Sequence, residues 1–370
     1  MKLTGIRVLD LSSFLPGPHM TMMMADHGAE VIRIEPPGEG EPNRQIGFKK
    51  PGDEETVYFR NTHRGKQSIT LDLKNKQAQR PGVTKRLGVD YDTVREHAPH
   101  IVYCSISAYG QDGPLAGRVA HDIGVEAQAG IASLTLGQDG KPTLPAIALA
   151  DMSASLMSFS GILMALLRAR ETGQGDYIDM AMYDSLLAWT PNTVGRVFAE
   201  GKAPDAKNER TWGGNAMYQL YETADDKWLA IAGSELKFAR NLLTPLGRED
   251  LIASCATEPG PGQEPAKAFL RETFKTRSLA DWVQWLGDKD VCWAPVNDLK
   301  QGFEHPHTAA REMLILDERG NEHIGVPIKF RNEPAKPNLQ SPGLGEHNEQ
   351  VSSMTAHGYA DLKRAGAFGK

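Results

Sequence analysis

The chain has 370 residues, of which 40% are apolar and 24% charged, with a formal net charge of −6. That is room for a large core and two domains, and the mild acidity with both signs scattered argues against a nucleic-acid binder. Three cysteines, Cys104, Cys255 and Cys292, are too few and too far apart for a disulfide framework or a zinc site, so a reducing cytoplasm and no metal are expected.

In chain order, the N-terminus alternates like a strand over 6–11 and shows no continuous apolar run of the signal-peptide kind. Leu15-Pro16-Gly17-Pro18 turns it into a helix over 20–26, closed by Gly28, and 30–35 reads as the next strand. This β-α-β unit predicts parallel pairing and a right-handed crossover. Ligands in such sheets sit at the C-terminal strand ends, where helix N-termini favour phosphate. Gly38-Glu39-Gly40 is no dinucleotide fingerprint, because it follows the second strand, is acidic and lacks a third glycine. A polar loop, 42–55, leads to His63-Arg64-Gly65-Lys66 and a strand over 67–74. Residues 74–79 begin like a helix but carry no apolar face and run into Arg80-Pro81-Gly82, which stops any helix.

A short helix is expected over 91–98, a buried strand over 101–107, and a helix over 123–133 that opens just after His121-Asp122. The apolar run 146–150 ends on a single carboxylate, Asp151. Leu156, Phe159, Ile162, Leu163, Leu166 and Leu167 then recur at spacings of three and four, one stripe of a core helix rather than a membrane span. Gly173 and Gly175 break that helix; a strand over 177–180 and another helix follow. Asp is a preferred helix N-cap, which is the structural reading of Asp151. The chemical reading is a carboxylate held by a rigid element in a cleft of low dielectric. His121, at the start of another helix, fits either a structural role or a base kept neutral by the helix dipole. In an α/β sheet both positions converge on one crevice.

Residues 201–208 read as a linker. Gly213-Gly214 introduces strands over 217–223 and 228–232, joined as a hairpin, and helices over 236–243 and 279–286. This is a smaller α+β domain, 205–305, between the large domain's 1–200 and its return over 306–370. His305-Pro306-His307 reads as a loop turn rather than a metal pair. Short strands are expected over 313–316 and 326–330, and a polar helix at the end.

Taken together, the chain resembles the family III CoA-transferases, also called the CaiB/BaiF family, which includes the 2-methylacyl-CoA racemases. The resemblance rests on Val8-Leu9-Asp10-Leu11 with Pro16-Gly17-Pro18, Ala25-Asp26-His27-Gly28, Arg64-Gly65-Lys66 with Leu71-Asp72-Leu73-Lys74, and Arg80-Pro81-Gly82. Tyr109-Gly110-Gln111, Ala150-Asp151, Thr172-Gly173-Gln174-Gly175 and Ala294-Pro295-Val296 extend it over nearly the whole chain. It implies an α/β fold, a Rossmann-like large domain with a parallel sheet plus the smaller domain, in an interlocked homodimer. It implies coenzyme A or acyl-CoA as a substrate, held near Leu15, Leu71, Lys74, Arg80 and Asp122, with Asp151 at the thioester and a carboxylic acid as the second substrate. Two departures stand out. Pro36 and Pro37 occupy the place of an arginine that many members carry. Only residues 75–79 separate the LDLK segment from Arg-Pro-Gly, where relatives hold a helix and a strand, roughly one crossover.

Two chemistries follow from the resemblance. In CoA transfer, Asp151 is a nucleophile that forms a covalent acyl or CoA intermediate, and backbone donors at Gly213 and Gly214 face the oxyanion. In racemisation, His121 and Asp151 are a two-base pair, with Glu235 orienting the histidine. His121-Asp122-Ile123 and the short glycine pair resemble the racemases; Gly325–Phe330 in GVPIKF and Leu344-Gly345-Glu346-His347 resemble the transferases. Transfer is the expected reaction and racemisation the alternative. A catalytically silent CoA-binding protein is a third.

Overall fold

The computed structural model describes residues 1–72, 84–85, 88–137, 139–355, 358–364 and 367–368. The chain divides into two compact units, one of Met1–Ala132, Leu144–Thr190 and Pro306–Lys370, the other of Ser133–Thr143 and Pro191–His305.

The first unit opens with β1 (Arg7–Asp10), α1 (Pro16–Asp26), β2 (Glu30–Glu35), α2 (Val57–His63) and β3 (Gln67–Thr70). Pro16 starts α1 where its missing N–H costs nothing. Thr56 caps α2, its hydroxyl accepting from Phe59 N at 2.9 Å. Strands β1, β2 and β3 pair in parallel in that order. After α3 (Tyr91–His97) comes β4 (Val102–Ser107), and after α4 (Asp122–Gln128) and α5 (Leu149–Thr172) come β5 (Asp176–Ala181) and α6 (Met182–Ala188). Strands β4 and β5 are parallel to each other but form a sheet of their own. The expected parallel sheet is therefore two parallel sheets among the described residues. They share one apolar core, in which Ile6 and Val8 pack with Val102, Cys104, Ile106, Ile178 and the α1 and α5 side chains.

Helix α5 positions the site, and it differs from its sequence reading. Its start is Ala148, so Asp151 is a first-turn residue and not the cap. Its buried residues are Ala150, Ser153, Ala154, Ser155, Ser158 and Ile162, whereas Leu156 and Leu167 of the leucine stripe are 40% and 66% exposed. Small residues let α1 and α6 approach closely. The hydroxyls find partners: Ser155 with His19 Nδ1 at 2.9 Å, Ser153 with Ser185 at 2.8 Å. By length and composition alone this helix is apolar enough to cross a membrane. It ends on Gly173 in the left-handed region, φ 71°. Gly175 then passes so near Ile101 O that a Cβ would lie 1.8 Å from it. The helix expected over 123–133 stops at Gln128, and Gly130, φ 84°, turns the chain into a short 3-10 segment.

The second unit holds β6 (Tyr218–Glu222), β7 (Trp228–Ala232) and β8 (Trp293–Pro295), all antiparallel, with α7 (Leu236–Leu243), α8 (Glu264–Phe274) and α9 (Leu279–Leu286). Tyr221, Leu229, Leu242, Leu270, Phe274 and Trp282 are the centre of its core. Returning to the first unit, Pro306 opens a short helix, Pro306–Ala310, where a loop turn was expected. A hairpin pairs β9 (Leu314–Leu316) with β10 (Glu322–Ile324). The strand expected over 326–330 does not form, for Pro327 has no N–H for a ladder. Polar Glu322-His323 takes the strand instead, since Asp317 binds the N–H groups of Arg319 and Asn321 and so fixes the turn.

Candidate active site

Asp151 lies in the first turn of α5, and that helix end is capped from a neighbouring helix. Asp122 and Glu126 are four apart on α4, on one face. Asp122 Oδ1 accepts from Ala150 N at 2.8 Å and Asp151 N at 3.2 Å, while Glu126 Oε1 accepts from Leu149 N at 3.3 Å. Three orphan amide groups of α5 are thus satisfied by two carboxylates from α4. The side chain of Asp151 is left free of that duty. Among the described residues, no lysine or arginine forms an ion pair with Asp122, Glu126 or Asp151.

This unbalanced cluster raises acid pKa values. Burial, and then the charge of Asp122, push Asp151 up to about 7. Burial, and then the adjoining Asp122 carboxyl group, push Glu126 up to about 7. A carboxylate at such a value is poorly stabilised by its surroundings and reactive near neutral pH.

His121 is the residue before α4; it is exposed and its side chain makes no cap bond. It meets the edge of the Phe14 ring at 5.5 Å between centroids. Phe14 has φ 65°, strained for a bulky residue, and is clamped at both ends. Its N–H donates to Glu41 at 2.8 Å, and its carbonyl accepts from Asn43 Nδ2. Leu15 follows at the start of α1, and Leu71 is half-buried with its N–H on Glu35 O. Lys74 and Arg80 lie outside the described residues. His121, Asp122 and Asp151 are therefore linked through adjoining helix ends.

Four residues went unread in the sequence. Tyr58 on α2 senses Asp151: burial first, then that charge, push its phenol up to about 12, against a hydrogen bond from Asn43. Phe14 lies in a loop and Asn43 in the short 3-10 helix Pro42–Arg44, neither within a motif. Only Glu126 had a legible signal, its spacing of four from Asp122.

The remaining two site assignments fall in the second unit. Glu235 precedes α7, is exposed and does not cap it by its side chain. Gly213 has φ 103°, which favours glycine. Gly214 sits where a Cβ would lie 2.3 Å from Asn208 O. The Gly214 N–H already donates to Glu209 O at 2.9 Å, so a role toward an oxyanion requires that bond to open.

The fold is α/β, with an acidic cluster at adjoining helix ends, and comparisons with known proteins give its family. The chain matches CoA-transferase family III over residues 3–80 and 77–348, and it belongs to that family. The match breaks at the short segment noted before the Arg-Pro-Gly motif. Acetyl-CoA:oxalate CoA-transferase of Acetobacter aceti is 31% identical over 93% of this chain and 95% of its own. Human alpha-methylacyl-CoA racemase is 29% identical over 95% of this chain and 92% of its own. The crystal structure of a CAIB/BAIF family protein from Brucella suis superposes with a TM-score of 0.83, at 29% identity, covering 95% of this chain and 98% of that one.

Proposed function

We propose that the protein moves coenzyme A between carboxylic acids through a covalent intermediate on Asp151. The observation that carries this reading is the first-turn carboxylate of α5, freed from capping by Asp122 and Glu126 and raised to about 7. As the carboxylate it attacks the thioester carbon of an acyl-CoA; the C–S bond breaks, leaving an acyl–aspartyl anhydride and CoA thiolate. The thiolate then attacks the aspartyl carbonyl, which releases the first acid as its carboxylate and leaves an aspartyl-CoA thioester. An acceptor carboxylate attacks that thioester and expels the thiolate, which takes the new acyl group and returns Asp151 to its carboxylate. No proton is consumed in the cycle. Tyr58 remains a neutral O–H donor at every working pH, suited to the oxyanions that form beside Asp151.

The CoA acceptor we expect is a short dicarboxylic acid, the class to which the oxalate of the Acetobacter relative belongs. We read the exposed Leu156, Met164 and Leu167 of α5 as part of a surface between two copies of the chain. Three free cysteines suit a reducing cytoplasm.

One observation favours racemisation as a second reading. His121 and Asp151 adjoin through Asp122, and a racemase is among the relatives. Two variants assayed on a panel of acyl-CoAs with dicarboxylic acids separate the two. Transfer predicts that Asp151→Ala abolishes turnover while His121→Ala stays within about tenfold of wild type. If His121→Ala abolishes turnover as well, and the wild type exchanges the α-proton of a 2-methylacyl-CoA, the transferase reading fails.

A further inference from the structure

Glu126 is the least exposed member of the acidic cluster, at 0% of its surface, and its Oε2 has no hydrogen-bond partner. Its other oxygen accepts from Leu149 N, one residue before the two N–H groups that Asp122 grips. Consecutive amides of one helix turn thus hold both carboxyl groups side by side. Two carboxylates are acceptors only, and neither can satisfy the other. A buried oxygen without a donor, next to a like charge, is costly unless one of the pair carries a proton. Among the described residues, no lysine or arginine forms an ion pair that compensates it. Helix α5 brings Asp151; α6, packed on the same helix, turns Ser185 and Leu186 inward and leaves Asp184 exposed. On the α4 side His121 is exposed, and Arg118 is bonded to Gln128.

We infer that Glu126 is a positioning residue for Asp151: as the acid, it donates through Oε2 to Asp122, which in turn fixes the first turn of α5 by the Ala150 and Asp151 N–H groups. The shared proton gives the unpartnered oxygen a role and removes one charge from the cluster. Burial and Asp122 hold Glu126 near 7, consistent with a proton kept through mildly acidic conditions. The acid of a Glu-Asp pair then does for Asp122 what a neutral amide would. Ionisation of Glu126 leaves Asp122 without its donor and adds a charge that opposes the Asp151 carboxylate.

The inference rests on Asp151 being the reactive carboxylate, so it is tested by one readout that needs activity and one that does not. Glu126→Gln keeps both the acceptor for Leu149 N and a donor for Asp122. Its kcat at pH 6.5 should stay within about threefold of wild type. The wild-type kcat profile should fall on the alkaline side as Glu126 ionises, and that limb should vanish in Glu126→Gln. Glu126→Leu, lacking the donor, should lose at least about tenfold in kcat with little change in KM for the acyl-CoA. An acid limb that moves to lower pH in Glu126→Gln means an ionised Glu126 and overturns the inference; so does an alkaline limb that survives. Independently, the infrared difference between wild type and Glu126→Gln at pH 6 should show the carbonyl stretch of a protonated carboxylic acid. Carboxylate bands alone overturn the inference whatever the kinetics. If that acid band is present while Asp151→Ala still turns over, the proton assignment stands and the reading of Asp151 falls.

Discussion

Two clusters of buried ionisable groups lie in the first unit, and they are built on opposite principles. In the first, Asp10 accepts from Arg33 at 3.0 Å, Lys66 at 3.1 Å and Thr21 at 2.7 Å. Arg33 also binds Glu41, and Glu35 takes Arg44 at 2.7 Å and Ser68 at 2.6 Å. Three cations face three carboxylates. Burial works against the charge of Asp10, but Lys66 and Arg33 outweigh it and hold its pKa well below the usual range. In the second cluster, no described lysine or arginine pairs with Asp122, Glu126 or Asp151, and burial raises Glu126 and Asp151. The compensated cluster shapes the chain: through Glu41 it fixes Phe14, and Phe14 meets His121. The uncompensated one stores free energy in Asp151. Balanced charge holds the fold; under the proposed transfer, the unbalanced charge is the one that reacts.

Substitutions can break that contrast from either side. The largest effect is expected at Asp151. Asp151→Asn should lower transfer by at least about a thousandfold and yet leave the protein more stable at pH 8. The sign follows from a folded pKa raised to about 7. The folded state then binds more protons than the unfolded one between about 4 and 7, so wild-type stability falls as pH rises through that window. At about 1.4 kcal/mol per pK unit the gain at pH 8 is at most about 4 kcal/mol, and it shrinks toward pH 4. Urea unfolding of both proteins at pH 5 and pH 8 measures it.

Asp10→Ala does the reverse. It leaves Lys66 without a carboxylate and Arg33 with Glu41 alone, and should destabilise by about 3–5 kcal/mol. The folded pKa of Asp10 is depressed, so its contribution is present at neutral pH and lost in acid; the same denaturation at pH 7 and pH 3 checks the loss. Next comes the acid limb of the wild-type kcat/KM, which should titrate near 7. His121→Ala should cost less than about tenfold in transfer, because no step of that reaction needs its proton. Tyr58→Phe is the smallest, a loss of about three- to tenfold in kcat with KM little changed, seen in steady-state rates.

Much of the fold was legible because local signals were strong. The strands at Glu30–Glu35 and Trp228–Ala232 and the helices at Leu236–Leu243 and Leu279–Leu286 fall where periodicity and turn residues put them. Phe159, Ile162, Leu163 and Leu166 of the α5 stripe do pack in the core; the buried serine and alanine face went unread because leucine outweighs serine in any apolar pattern, whereas close helix packing needs the small residue. Asp151 stood out as a lone carboxylate after an apolar run. That it is not a cap was illegible, since the capping groups come from α4, more than twenty residues earlier. Tyr58 comes within the influence of the Asp151 charge only through the tertiary fold.

Intact-protein mass spectrometry after brief incubation with mixed acyl-CoAs, with peptide mapping of any adduct, tests the central claim most directly. Covalent transfer predicts an acyl or CoA adduct on the peptide that carries Asp151, absent in Asp151→Asn. A protein that stays unmodified while exchanging the substrate's α-protons with deuterated water would contradict it, and would make Asp151 and His121 a pair of bases.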